Sequence, residues 1–235
     1  NPDQYTYHWY EANDMNVIIG YDETLLVSEA DLAQSNGVYV LKVTDLLGCT
    51  YSQFTSVSMA EQMIITDVSV SDFNRLDNTI IVEVTGGSGV FEYTLHTIDY
   101  AGNTHTTVQN NPRFDNLVAG TYQIEVLDMT GCSISVTTDD IYVLDYPPFF
   151  TPNGDLQHDT WQITGANFIP NSKIYIFDRF GKVLAQVDPQ SVIGWDGTYN
   201  GIQVPASDYW FTCEYIDPNN GQAKSVKGHF SIVRK

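Results

Sequence analysis

Gly120-Thr121-Tyr122-Gln123-Ile124-Glu125-Val126-Leu127-Asp128-Met129-Thr130-Gly131-Cys132 reads as a strand running into a turn. Tyr122, Ile124 and Val126 alternate with Gln123 and Glu125, the period of two that gives a strand one buried and one wet face. Asp128 to Gly131 supplies turn chemistry, because an Asp carboxylate bonds nearby backbone N–H groups and Gly accepts positive φ. The stretch has an earlier copy, Gly37-Val-Tyr39-Val-Leu-Lys-Val43-Thr-Asp45-Leu-Leu-Gly48-Cys49, at a constant offset of 83 residues. Gly, Tyr, Val, Asp, Gly and Cys coincide, so the chain contains a repeat.

An aromatic alternating strand precedes each copy, Tyr5-Thr-Tyr7-His-Trp9 in the first and Phe91-Glu-Tyr93-Thr-Leu95 in the second. The second copy also carries strands at Ile64 to Val70 and Thr79 to Val84, before a Gly86-Gly87-Ser88-Gly89 turn. The first copy lacks them and reads as an incomplete leading unit of a longer array. A Gly two residues before a Tyr near the start of a late strand resembles the tyrosine corner of immunoglobulin-like sandwiches, where the phenol bonds back to the backbone. Only Ser28 to Ala33 looks helical, with Ser28 as its cap. The expected fold class is all-β, as consecutive immunoglobulin-like β-sandwich domains: a partial repeat at 1–60, a complete repeat at 61–147 and a different domain at 148–235.

Composition narrows the function classes. The formal charge is −19, and residues 1–148 hold 21 of the 29 acids with only Lys42, Arg75 and Arg113 as bases. Such a body is repelled by phosphate backbones and anionic lipid, which argues against nucleic-acid binding. Residues 149–235 are nearly balanced, with seven bases and eight acids. Cys49, Cys132 and Cys213 lie too far apart in sequence for a CxxC metal pattern or a dense disulfide framework. No apolar run reaches membrane-spanning length, and Asn1-Pro2-Asp3-Gln4 does not resemble a signal peptide, so the sequence reads as a piece of something longer. His8, His96, His105, His158 and His229 are scattered, and no GxSxG, HExxH, P-loop or dinucleotide fingerprint occurs; the chain is expected not to be an enzyme.

Tyr146-Pro147-Pro148 ends the second domain, since two prolines cannot continue a hydrogen-bonded ladder. Beyond it the repeat stops. Lys173 to Phe177, Tyr209 to Tyr215 and His229 to Arg234 read as strands, with Asp196-Gly197, Asn200-Gly201 and Asn220-Gly221 as turns. Five stretches come in order: Phe150-Thr-Pro-Asn153-Gly154-Asp155, Ile176-Phe-Asp-Arg179-Phe-Gly181-Lys, Gly194-Trp195-Asp196-Gly197-Thr-Tyr-Asn200-Gly201, Pro205-Ala-Ser-Asp-Tyr209-Trp and Gly228-His-Phe-Ser-Ile-Val-Arg234. In this order they resemble the gliding-motility-associated C-terminal domain, the type B sorting domain of type IX secretion cargo, over residues 149–235. Leu156 stands where that family usually has a Gly, and His158 where it has Asn. Gly86 to Gly89 and Gly120 to Cys132 more loosely resemble the repeats of large, SprB-like gliding adhesins.

The resemblance implies export to the cell surface, with the type IX translocon and a PorP/SprF-like outer-membrane protein as partners. It makes Arg179, Gly181, Phe230, Ile232, Val233 and Arg234 candidate recognition residues. Each has a plainer reading: Arg179 could bond Asp178, Asp196 or turn carbonyls, and Phe230, Ile232 and Arg234, which point one way, could close a sandwich. Asn153, Asp155 and Asp159 place oxygens at short spacings in a Gly-containing loop, which fits a calcium loop or an Asx turn. Trp195 fits a core plug better than a sugar platform. A competing class is a calcium-assisted carbohydrate-binding or adhesion module with a surface polysaccharide as partner; another is the non-catalytic tail of a secreted hydrolase.

Overall fold

The computed structural model describes residues 4–59, 61–98, 104–130 and 135–234, which form two compact units, Asn1–Glu61 and Gln62–Lys235. In the first, β1 (Tyr5–Glu11), β2 (Val38–Asp45) and β3 (Thr50–Ser56) make an antiparallel sheet in that order. Between β1 and β2 lies the one α-helix among the described residues, α1 (Glu29–Gln34), with Ser28 as its cap. The Ser28 hydroxyl accepts the Asp31 N–H and the Asp31 carboxylate accepts the Ser28 N–H, so two donors orphaned by the helix start are satisfied reciprocally.

The second unit opens with β4 (Ile64–Ser71), β5 (Asn78–Thr85), β6 (Phe91–Ile98), β7 (Thr104–Gln109), β8 (Arg113–Leu117), β9 (Gly120–Asp128), β10 (Val136–Thr137) and β11 (Ile141–Val143). One sheet runs β4-β5-β8; the other runs β10-β9-β6-β7, with β11 also on β9. Ile80, Val82 and Phe114 from the first sheet meet Tyr93, Leu95, Tyr122, Ile124 and Val126 from the second in one core, a two-layer sandwich. The alternation read in Tyr122, Ile124 and Val126 is therefore the inward face.

Repeat and register agree. Tyr7 pairs with Val43 and Trp9 with Leu41, while Tyr93 pairs with Val126 and Leu95 with Ile124, so the aromatic strand meets the repeated strand identically in both copies. The Tyr122 hydroxyl donates to the Val118 carbonyl at 2.8 Å, the tyrosine corner expected of it. Tyr39 bonds the Ser35 hydroxyl at 3.0 Å at the equivalent place. The repeated Asp is a turn cap: Asp45 accepts from the N–H of Leu47 and Cys49, and Asp128 from the N–H of Thr130 and Ser88. Cys132 falls outside the described residues; Cys49 and Cys213 are free, the latter buried.

The chain continues through β12 (Phe149–Phe150), β13 (Lys173–Phe177), β14 (Val183–Val187), β15 (Thr198–Tyr199), β16 (Ile202–Gln203), β17 (Asp208–Ile216) and β18 (Ala223–Ile232). Five of these form a sheet, β12-β18-β17-β13-β14, in which β12 lies parallel to β18. Tyr209, Phe211, Cys213 and Tyr215 of β17 point inward, against Trp161, Ile163, Ala166 and Ile169 from the long connection after β12 and Trp195 from that after β14. A second tyrosine corner, not expected from the sequence, closes here: the Tyr209 hydroxyl donates to the Pro205 carbonyl at 2.7 Å.

Pro147-Pro148 is not a bare spacer. The Pro147 carbonyl accepts the Trp161 indole N–H, and the Pro148 carbonyl accepts the Ser231 N–H. Beside it Asp72, Asp145, Asp217 and Lys224 gather. Lys224 pairs with the buried Asp217 at 2.7 Å, and burial pushes the Asp72 carboxyl up to about 6, with Asp217 and Asp145 reinforcing the rise and Lys224 opposing it. The unfolded value is about 3.9. The folded state therefore holds a proton that the unfolded state has released between those values, so the ionised Asp72 weighs against folding above about pH 6. Lowering the pH from 7 to 5 is expected to raise the unfolding midpoint, and Asp72→Asn to raise it at pH 7 while flattening that dependence. Denaturant melts at the two pH values check this; equal slopes for wild type and variant would refute it.

Candidate functional site

The five ordered motifs lie in the last third of the chain, and the structure supplies physical reasons for several of their residues. In the first, Asp159 is the hub: its carboxylate accepts the N–H groups of Asn153, Gly154 and Leu156 at 2.7–2.8 Å. These bonds hold its pKa below the usual carboxylate range, that from Gly154 most of all. Asn153 Oδ1 accepts the Asp155 N–H, and Asp155 Oδ1 the Gln157 N–H, as in successive Asx turns. Gly154, Leu156 and His158 have φ of 82°, 67° and 53°, so Leu156 holds a left-handed conformation where the resembled family places Gly. All three candidate calcium ligands thus meet in one exposed loop, with Asp155 Oδ2 accepting the Asn153 side-chain amide and their other side-chain oxygens turned on backbone N–H groups.

The second motif is the β13–β14 hairpin tip. Asp178 Oδ1 accepts the N–H groups of Phe180 and Lys182, and Gly181 takes φ of 81° with open space around its Cα. That turn pushes Arg179 and Phe180 outward. Phe180 is 80% exposed, and the Arg179 guanidinium sits 4.8 Å from its ring centre. Phe180 escaped the sequence reading, although an apolar residue between Arg179 and Gly181 in a tight turn was the available signal.

The third and fifth motifs meet in the core. Trp161 and Trp195 exchange backbone hydrogen bonds of 2.8 Å in both directions, and a Cβ on Gly194 would lie 2.2 Å from the Trp161 carbonyl oxygen. Only glycine fits. Trp195 is buried, donates its indole N–H to the Thr198 carbonyl and packs on Phe150 and Tyr209, so it is the core plug expected. Gly228 has the same explanation on β18, where a Cβ would lie 2.5 Å from the Phe211 ring.

The terminal strand divides its candidates. Phe230 and Ile232 are buried, Phe230 stacked on Trp161 with ring centres 4.1 Å apart. Arg234 folds back, donating from Nη2 to the Gly197 carbonyl at 3.3 Å. Val233 is 43% exposed while its N–H donates to Phe150. The candidates therefore separate into Arg179 and Gly181 at the hairpin tip, Phe230, Ile232 and Arg234 turned into the core or its edge, and Val233, whose side chain is partly exposed. Among the described residues no group of three or more His, Cys, Asp or Glu is placed to hold a metal ion, and no helix is long and apolar enough to cross a membrane.

Residues 144–232 match the CHU_C Type IX secretion signal domain. The CHU_C match begins at Leu144, just before Pro147-Pro148, and ends at Ile232, the last residue of β18. A signal of this kind implies export to the cell surface or beyond. No curated protein matches the chain. Among solved structures, the three N-terminal domains of the bacteriophage RB49 highly immunogenic outer capsid protein are 12% identical, covering 100% of this chain and 89% of that one at a TM-score of 0.38. A tetra-tandem repeat from the extending region of a large adhesion protein is 16% identical, covering 98% and 66% at 0.29. The chicken CNTN1 FN1–FN3 domains are 13% identical, covering 99% and 89% at 0.29. Likenesses this distant carry no argument; the sandwich assignment rests on the sheets themselves.

Proposed function

We propose that this chain is the C-terminal part of a secreted, non-catalytic cell-surface adhesin of a gliding bacterium. Residues 148–235 act as its type IX secretion signal and attachment module, and the repeats at 1–60 and 61–147 act as stalk. The observation that carries the reading is the CHU_C match over residues 144–232. The acidic repeats fit an inert, solvated stalk. The partners are the type IX translocon and a PorP/SprF-like outer-membrane protein, and the β13–β14 tip is the face offered to them: Arg179 and Phe180 are exposed while Phe230 and Ile232 are packed inside. Arginine is enriched among the few residues that carry most of an interface's binding energy, and the exposed Phe180 ring beside it offers apolar area to bury.

The test is a fluorescent protein fused ahead of residues 62–235 in a type IX-competent host. Surface fluorescence is expected, and its loss in a translocon mutant. Equal signal in both strains would end the proposal. Arg179→Ala with Phe180→Ala is expected to lower the surface signal about tenfold, the equivalent of about 1.4 kcal/mol of docking energy, without moving the unfolding midpoint. An unchanged signal would place docking elsewhere.

A further inference from the structure

The turn from Ser71, the last residue of β4, through Asp72-Phe73-Asn74-Arg75 reaches beyond its own sandwich. Phe73 is buried in the core of the domain that follows, its ring centre 5.7 Å from that of Tyr215 and 6.5 Å from that of Tyr146, and its N–H donates to the Leu144 carbonyl at 3.0 Å. Phe73 and Arg75 both hold positive φ, 57° and 63°. Bulky L residues stay in that region only where their surroundings over-determine them.

The surroundings do so. Asn78, fully buried, donates from Nδ2 to the Arg75 carbonyl, the Leu117 carbonyl and Asp145 Oδ2, and its Oδ1 accepts the Asn74 N–H. Asp145 Oδ1 accepts the N–H groups of Arg75 and Tyr146, while its backbone exchanges bonds with Thr164. On the other flank Asn219, in the β17–β18 turn, bonds both the N–H and the carbonyl of Tyr142. A key residue, a buried amide–carboxylate node and a side-chain clamp on the backbone all join β4–β11 to the domain after them.

We propose that the Ser71–Arg75 loop is a docking key whose partner is the C-terminal domain of the same chain. Residues 62–235 are then one thermodynamic body, and the CHU_C-matched segment depends on the preceding repeat for its full stability.

Hydrogen–deuterium exchange on the full chain tests this. Phe73→Ala is expected to speed amide exchange in β17 and β18 about tenfold or more, and at least as far as in β9, with Phe73→Leu intermediate. Combined with Tyr215→Ala, its effect is expected to be smaller than the product of the two single effects, because the rings share one contact. Acceleration confined to residues 62–128, or effects of Phe73→Ala and Tyr215→Ala that simply multiply, would overturn the proposal. The Phe73→Leu variant decides the same question if the alanine chain does not fold.

Discussion

Replacing Trp161 by alanine is expected to remove about 3–5 kcal/mol from the stability of residues 62–235, the range for deleting a large aromatic from a packed core. Trp161 is fully buried, stacks on Phe230 within 16° of parallel and lies 5.0 Å from the Phe211 ring centre. Its loss empties the centre of the layer facing β17 and β18 and orphans the Pro147 carbonyl that its indole N–H now satisfies. Two penalties thus combine, a cavity and the loss of a hydrogen bond to a part-buried acceptor, the first being the larger. Trp161→Phe separates them, keeping most of the ring contact while losing the donor, and is expected to fall well short of the alanine effect. Urea unfolding followed by circular dichroism measures both; an alanine variant within about 1 kcal/mol of wild type would contradict this account of the core.

Gly194→Ala is expected to destabilise the same unit by about 3 kcal/mol, the upper end of ordinary overpacking, because the clash is with backbone rather than a movable side chain. The added methyl would lie 2.2 Å from the Trp161 carbonyl oxygen, held there by its bond from the Trp195 N–H. Either the methyl or the Trp161–Trp195 bridge must give way. Gly194 does not have positive φ, so the effect isolates space from conformational strain. Gly120→Ala is the control: its φ is likewise not positive, and its nearest neighbour is the Tyr122 ring at an ordinary 3.7 Å, so a change under about 1 kcal/mol is expected. Similar unfolding midpoints for the two variants would sink the steric argument.

These glycines explain why the C-terminal motifs are legible in the sequence. A motif is readable when each letter answers a local demand: Gly194 and Gly228 for close approach, Gly181 and Gly197 for positive φ, Asp178 and Asp159 for turn amides. The repeat is legible for the same reason. Its Asp caps a turn in both copies, and in the second copy Tyr122 sits in a strand whose alternation alone says which side is buried. The recognition candidates are less legible. Both faces of the terminal strand are partly apolar, so alternation separates Phe230 and Ile232 from His229 and Val233 without saying which set meets a core. Packing against Trp161 and Phe150 decides it.

The joint is the least legible feature. Taken locally, Tyr146-Pro147-Pro148 is a break, and a double proline does end the ladder. Yet Phe73, some 70 residues earlier in sequence, crosses that break to fill the next domain's core. Strand periods, turn residues, the helix cap, the repeat and the family motifs were determined by the sequence alone, because each depends on neighbours a few residues away. The exposure of Phe180, the inward turn of the terminal strand, the raised Asp72 and the Phe73 docking key were decided only by tertiary structure. Burial and long-range contact are properties of chain segments brought together in space, and no period or turn signal in one segment encodes its distant neighbour.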